Sequence, residues 1–458
     1  MARPNLLYIM CDELRWSEVG AYGHPVVRTP NFDAFAQQGT RFETAVSNCP
    51  VCVPARSIVL SGQHARRSHG LTGNGACHFT DHRGNKGWCF YPYAPKQREA
   101  FPDATFPELL KSAGYHTAAI GKWHVDAWPH HLGFDDYLIP RAHHAHAAQL
   151  FTHNGGPEFA APGFSVDYEA DKVCEFFDQR TGQSEPWMMY YNISPPHMPL
   201  AEQPEKYLTM YDPAEVVLRG NEPVPFDNAA KRNNFTTYLW DYRDYFAQLP
   251  HAKELPDGFT LEHLLALYYG ATTWVDDVLG RVLAGLEQSG MADDTIVIFT
   301  ADHGDNFGCH DRFGKAKLLE ESYRVPMAVR GPGVRARVCG DTIGSLVDIG
   351  PTLLEAAGVD VPAHMHGTSL MPTLTEAKPG PAHAFIESAP DGVGVRTLSH
   401  LYGIGWEREP TLGERCSIFT DLETDPLQMS PLPDEGDLAT ELRGMVEAFD
   451  ARTPWMQS

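Results

Sequence analysis

The chain has 458 residues, 43% hydrophobic and 21% charged, enough for a large core and roughly two or three domains. Its net charge of −23 argues against nucleic acid or an anionic membrane surface as partner, so an anionic substrate must meet a local cationic pocket. Nine cysteines are too few and too scattered for a disulfide scaffold. Cys49 and Cys52 form the single CxxC, and without a second pair a zinc site is not expected.

Leu6 to Met10 is a continuous apolar run that reads as a buried strand and ends in Asp12-Glu13. It is too short for a signal peptide, and no stretch approaches the ~20 apolar residues that span a bilayer. A cytoplasmic protein is expected. Thr29-Pro30 opens a helix stopped at Gly39, and Phe42 to Val46 is a strand. Cys52 then stands at a helix start, because Pro54 suits a first turn. Free backbone N–H groups there favour an anion and would acidify the thiol. Arg56 adds a cation one turn on.

Residues 62–104 read as a long surface insertion. Phe106 to Ala113 is predicted helix, and His116 to Ile120 is predicted strand, followed by Lys122 and His124. Residues 141–165 read as loop, including Arg141, and the His143, His144 and His146 cluster reads as solvated, with metal binding or substrate contact as alternatives. A helix over 167–179 and a strand over 187–193 lead to His197. Residues 200–258 read as a substrate-side excursion. A long helix follows over 261–286, then a strand over 295–300 ending in Asp302-His303. A short strand over 326–330 and a helix over 348–357 close this part.

Strands alternating with helices predict an α/β fold, a large mainly parallel sheet sandwiched by helices. Ligands bind such sheets at the carboxyl ends of the strands. Asp12, Glu13, Lys122, His124, His197, Asp302 and His303 all fall there. After residue 375 the strands shorten, over 384–387, 393–397, 401–406 and 417–420, with a last helix over 437–449. The predicted division is a catalytic domain over 1–375 and a small C-terminal α+β domain over 376–458.

Cys52-x-Pro54-x-Arg56 with Ser61-Gly62 beyond resembles the signature of the type I sulfatases, in the alkaline phosphatase superfamily. Gly114-Tyr115-His116-Thr117 with Gly121-Lys122-Trp123-His124 resembles the family's second signature. Asp302-His303-Gly304, Lys315 with Glu320-Glu321-Ser322, and Asp421 to Pro426 resemble its later segments. The resemblance implies that Cys52 is oxidised to formylglycine by a sulfatase-maturing enzyme. It implies one divalent ion held by Asp12, Glu13, Asp302 and His303. Ca²⁺ is the expected ion and Mn²⁺ the alternative, because the imidazole favours a transition metal.

Lys122, His197 and Lys315 would hold the sulfate oxygens, with His197 or Lys315 protonating the departing alcohol. His124 would release sulfate, and Arg56 would orient position 52. The expected substrate is a small-molecule sulfate ester. Asp-His rather than Asp-Asn resembles the phosphonate monoester hydrolase and choline sulfatase branches, so a phosphonate monoester or phosphodiester is the alternative substrate. The leaving alcohol is not readable, and a homo-oligomer is left open. Trp88, Phe90, Tyr91, Tyr93, Tyr238, Trp240, Tyr242 and Tyr245 could wall its pocket or simply pack.

Overall fold

The structure is a computed structural model that describes residues 3–68, 74, 79–80, 86–87, 101–125, 127–140, 144–147, 149–223, 235–239, 255, 258–388, 392–408 and 415–453. Ten strands form the main sheet. Their order is Arg337–Ser345, Thr40–Val46, Met327–Arg330, Thr295–Ala301, Asn5–Asp12, Trp187–Pro196, His116–Gly121, Asp136–Pro140, Leu150–His153 and Phe159–Ala160. The five strands from Thr295–Ala301 to Asp136–Pro140 are parallel. Antiparallel pairing is confined to the flanks.

The central strand shows why the sequence runs apolar there. Leu6 to Cys11 are fully buried, because helices cover both faces. On one side lie Pro30–Gln37, Ser165–Arg180 and the long Leu261–Gln288 helix. On the other, Cys52–Ser61 packs with Phe106–Ser112 and Ile349–Ala356. No described helix is long and apolar enough to cross a membrane.

The strands Leu150–His153 and Phe159–Ala160 depart from the sequence expectation of loop, and Arg337–Ser345 is a strand where the sequence reading names no element. The first two fall within the span 141–165. Phe159–Ala160 and Arg337–Ser345 are the two edges of the sheet and Leu150–His153 is the next strand in from one of them, where partial exposure breaks the apolar run that marks a central strand.

Beyond the main sheet, His383–Ser388, Gly392–Thr397, His400–Arg408 and Arg415–Asp421 form a four-stranded antiparallel sheet. The Gly436–Arg452 helix covers one face through Leu442, Val446 and Phe449. The other face packs Ile386, Leu401 and Ile418 against Val46, Leu318 and Tyr323 of the main body.

Candidate active site

Four neighbouring parallel strands deliver the site. Asp12 ends the central strand, and Asp302 follows Thr295–Ala301 on one side of it. His197 follows Trp187–Pro196 on the other side, and Lys122 follows His116–Gly121 next along. Gly121 makes the last turn. Its φ is +88°, and a Cβ there would sit 2.0 Å from the Asn192 carbonyl oxygen. The Lys122 N–H donates to that same oxygen at 3.0 Å.

The Cys52–Ser61 helix aims Cys52 and Arg56 at this rim. Arg56 is fully buried and forks between two carboxylates, 2.8 Å from Asp12 Oδ2 and 3.0 Å from Asp302 Oδ2. It also donates to the Lys122 carbonyl at 3.1 Å. Lys122 Nζ pairs with Asp12 Oδ2 as well. These cations occupy the Oδ2 atoms and leave both Oδ1 atoms facing Cys52 and His303. His303 Nε2 lies 3.8 Å from Asp12 Oδ1, 3.6 Å from Asp302 Oδ1 and 3.2 Å from Cys52 Sγ. Asp302 Oδ1 also accepts the backbone N–H groups of Glu13 and His303.

This donor set fits a divalent cation. One ligand atom each from Asp12, Cys52, Asp302 and His303 lie within 4.8 Å of one another, all buried. His303 Nδ1 is 2.8 Å from the Gly304 carbonyl, which fixes the ring and leaves Nε2 toward the cluster. Burial and Asp12 raise the Asp302 carboxyl to about 6, against His303 and Arg56. A cation between the Oδ1 atoms would relieve that repulsion.

Glu13 turns elsewhere. Its backbone φ of 66° is rare for a side chain of this size. Its Oε2 meets His197 Nε2 at 2.9 Å and Lys315 Nζ at 3.0 Å. Glu13 therefore groups with Asp12 and His197 rather than with Asp302 and His303. Burial alone would lower the His197 imidazole, but Glu13 and Asp12 carry it up to about 9 against Lys315 and Lys122. His124, at φ 47°, hydrogen-bonds Cys52. Burial, Lys122 and Arg56 bring it down to about 4 despite that bond, so it is neutral at pH 7. For the Cys52 thiol, burial and Asp12 oppose ionisation. Lys315, Lys122 and His303 outweigh them and hold it well below the ordinary cysteine range.

The candidate residues Asp12, Glu13, Cys52, Arg56, Lys122, His124, His197, Asp302, His303 and Lys315 thus gather at one rim. Lys315 joins the rim through Glu13. His144 and His146 correct the expectation of a solvated loop, since both are buried. His144 lies 3.5 Å from Lys122 Nζ, and His146 Nε2 lies 3.1 Å from the His197 carbonyl. No local spacing marks them, because they arrive on an irregular segment. Asp305 is buried beside the site and accepts from the Tyr238 hydroxyl at 2.5 Å. Tyr238 is thus packed under the site. Arg141, His143, Trp88, Phe90, Tyr91, Tyr93, Trp240, Tyr242 and Tyr245 lie outside the described residues.

Comparison with known proteins gives the same direction. The family model described as Sulfatase matches residues 4–359. The N-acetylglucosamine-6-O-sulfatase of Bacteroides thetaiotaomicron is 25% identical over 98% of this chain and 86% of its own. A structure solved in complex with its substrate D-glucosamine-2-N,6-O-disulfate superposes with a TM-score of 0.73 at 23% identity, covering 98% of each chain. The phosphonate monoester hydrolase of Agrobacterium radiobacter superposes at 0.70 and 22% identity, covering 99% of this chain and 96% of that one. The chain belongs to the sulfatase family of the alkaline phosphatase superfamily and is a sulfuric ester hydrolase.

Proposed function

We propose that the protein hydrolyses a small-molecule sulfate ester to an alcohol and inorganic sulfate, with Cys52 converted to formylglycine by a sulfatase-maturing enzyme. The observation that carries this reading is the setting of position 52. Its side chain faces two carboxylates, an imidazole of fixed orientation and a neutral His124 at once. Hydrated formylglycine supplies two hydroxyls, one to attack sulfur and one whose deprotonation expels the sulfate. Asp12, Asp302 and His303 would hold a divalent ion, which would supply Lewis acidity that favours an oxygen nucleophile over its protonated form.

The chain's own groups do the rest. Lys122, paired with Asp12, and Lys315, paired with Glu13, balance the negative charge of the sulfate oxygens. His197, protonated at neutral pH, gives its Nε2 proton to the ester oxygen as the S–O bond breaks. His124, neutral, takes the proton whose loss frees sulfate and restores position 52. Arg56 holds Asp12 and Asp302 at fixed separation. Glu13 serves as counter-ion to His197 and Lys315.

A phosphonate monoester is the second reading. His303 in place of an oxygen ligand and the 0.70 superposition on a phosphonate monoester hydrolase favour it. Turnover of 4-nitrophenyl sulfate, a phenylphosphonate monoester and a phosphodiester by one preparation separates the two. The highest kcat/KM is expected on the sulfate. A higher value on either phosphorus ester would overturn the sulfatase reading.

A further inference from the structure

The C-terminal sheet carries two glycines where inner strands ordinarily avoid them. Ile386, Gly394, Gly403 and Ile418 are direct cross-strand partners, so one row crosses all four strands with glycines at its middle. Glycine inside a strand weakens it and marks a place where another group comes close. Here that group is Leu318 of the main body, which is fully buried with Ile386 and Ile418. A Cβ on Gly403 would overlap Leu318 Cδ1, and one on Gly394 would lie 3.0 Å from Leu318 Cδ2. The paired glycines are a notch, and Leu318 fills it.

Leu318 stands three residues after Lys315, and the chain between them is stiff. Ala316 is left-handed at φ 68°, and its N–H donates to the Pro50 carbonyl at 3.0 Å, two residues before Cys52. That one hydrogen bond fixes a point and leaves the chain free to pivot about it. The seated Leu318 supplies a second point. Gln428 reinforces it, its side-chain amide spanning the Leu318 carbonyl at 3.1 Å and the Glu320 N–H at 2.7 Å. Two points set the direction of the chain. The narrow left-handed well of Ala316 passes that direction back to Lys315. On the far side of Lys315, Gly314 is tied to Tyr238 and Asn306, but a glycine joint constrains direction least.

We infer that Leu318, seated in the Gly394 and Gly403 notch, is a positioning residue for Lys315, so that the C-terminal sheet sets where that ammonium stands on the rim. The inference rests on the sulfate-binding role given to Lys315 above. G403A overfills the notch, and L318V, a milder change, underfills it. Each is to be made in the full chain with formylglycine installed, alone and combined with K315M. The readout is kcat/KM on 4-nitrophenyl sulfate per folded, modified protein. With Lys315 present, G403A is expected to lose about 10- to 100-fold and L318V about 3- to 10-fold. In the K315M background each is expected to lose less than about twofold, because the group it misplaces is gone. A packing role alone would cost K315M as many fold as it costs wild type, and such multiplied losses would overturn the inference. So would wild-type kcat/KM in both single variants. K315M as active as wild type would instead overturn the role of Lys315, and wild-type protein inactive on the sulfate would overturn the reaction, each taking this inference with it.

Discussion

His303 Nε2 stands 3.2 Å from Cys52 Sγ, while the opposite ring nitrogen is tied to the Gly304 carbonyl. The ring is thus aimed at position 52 and at the two Oδ1 atoms beside it. An imidazole nitrogen in that place suits a transition ion, whereas an amide oxygen suits Ca²⁺. His303→Asn should shift the bound metal from Mn²⁺ toward Ca²⁺ when apoprotein is loaded from an equal mixture. Elemental analysis reads the ratio, and an unchanged ratio would refute the assignment of His303 as ligand.

Among the described residues, Arg56 is the single guanidinium between Asp12 and Asp302, and all three are fully buried. Arg56→Met keeps the length and removes the charge. Two buried carboxylates would then repel with less to balance them, at a cost of about 3–5 kcal/mol. Urea unfolding of chelated protein measures it, since added metal would mask part of the loss. A change under about 1 kcal/mol would contradict this role.

Gly121→Ala places a methyl 2.0 Å from the Asn192 carbonyl oxygen at a φ of +88°. The chain must shift just before Lys122. A loss of about 3 kcal/mol and a fall in turnover are expected together. Wild-type activity in a stable variant would show that the close approach is not needed.

Glu320 ties the main body to the C-terminal sheet. It meets Arg396 at 2.9 Å and Arg324 at 2.8 Å, and Tyr323 donates to it at 2.7 Å. Burial raises its carboxyl, but Arg396 and Arg324 outweigh burial and lower it from 4.5 to about 2. A lowered acid binds fewer protons folded than unfolded. Its contribution is therefore complete above about pH 4.5 and lost as pH falls toward 2, at most about 3 kcal/mol. Glu320→Gln should lower stability at pH 7 and flatten its acid dependence. Equal loss at pH 7 and pH 2 would refute the linkage.

The fold was legible where strands are buried on both faces. Leu6–Met10 and Ile296–Phe299 are unbroken apolar runs, and the polar pairs beyond them fall on one rim. The edge strands were not, because half-exposed residues carry no such run. Within the site, motif spacing named ten residues that the structure gathers. It did not separate Glu13 from the Asp302 and His303 group, since adjacency to Asp12 says nothing of where a positive φ turns the side chain. Nor could it distinguish the buried His144 from its solvated alternative, because that burial depends on contacts with Lys122 and His197 far along the chain.

The most direct measurement is the mass of the proteolytic peptide spanning position 52, taken from protein made together with a sulfatase-maturing enzyme and active on an aryl sulfate. The expected peptide is lighter than its cysteine form by the difference between a thiol and an aldehyde, and Cys52→Ala should be inactive. Full sulfate turnover by protein whose peptide carries only unmodified cysteine would contradict the formylglycine mechanism.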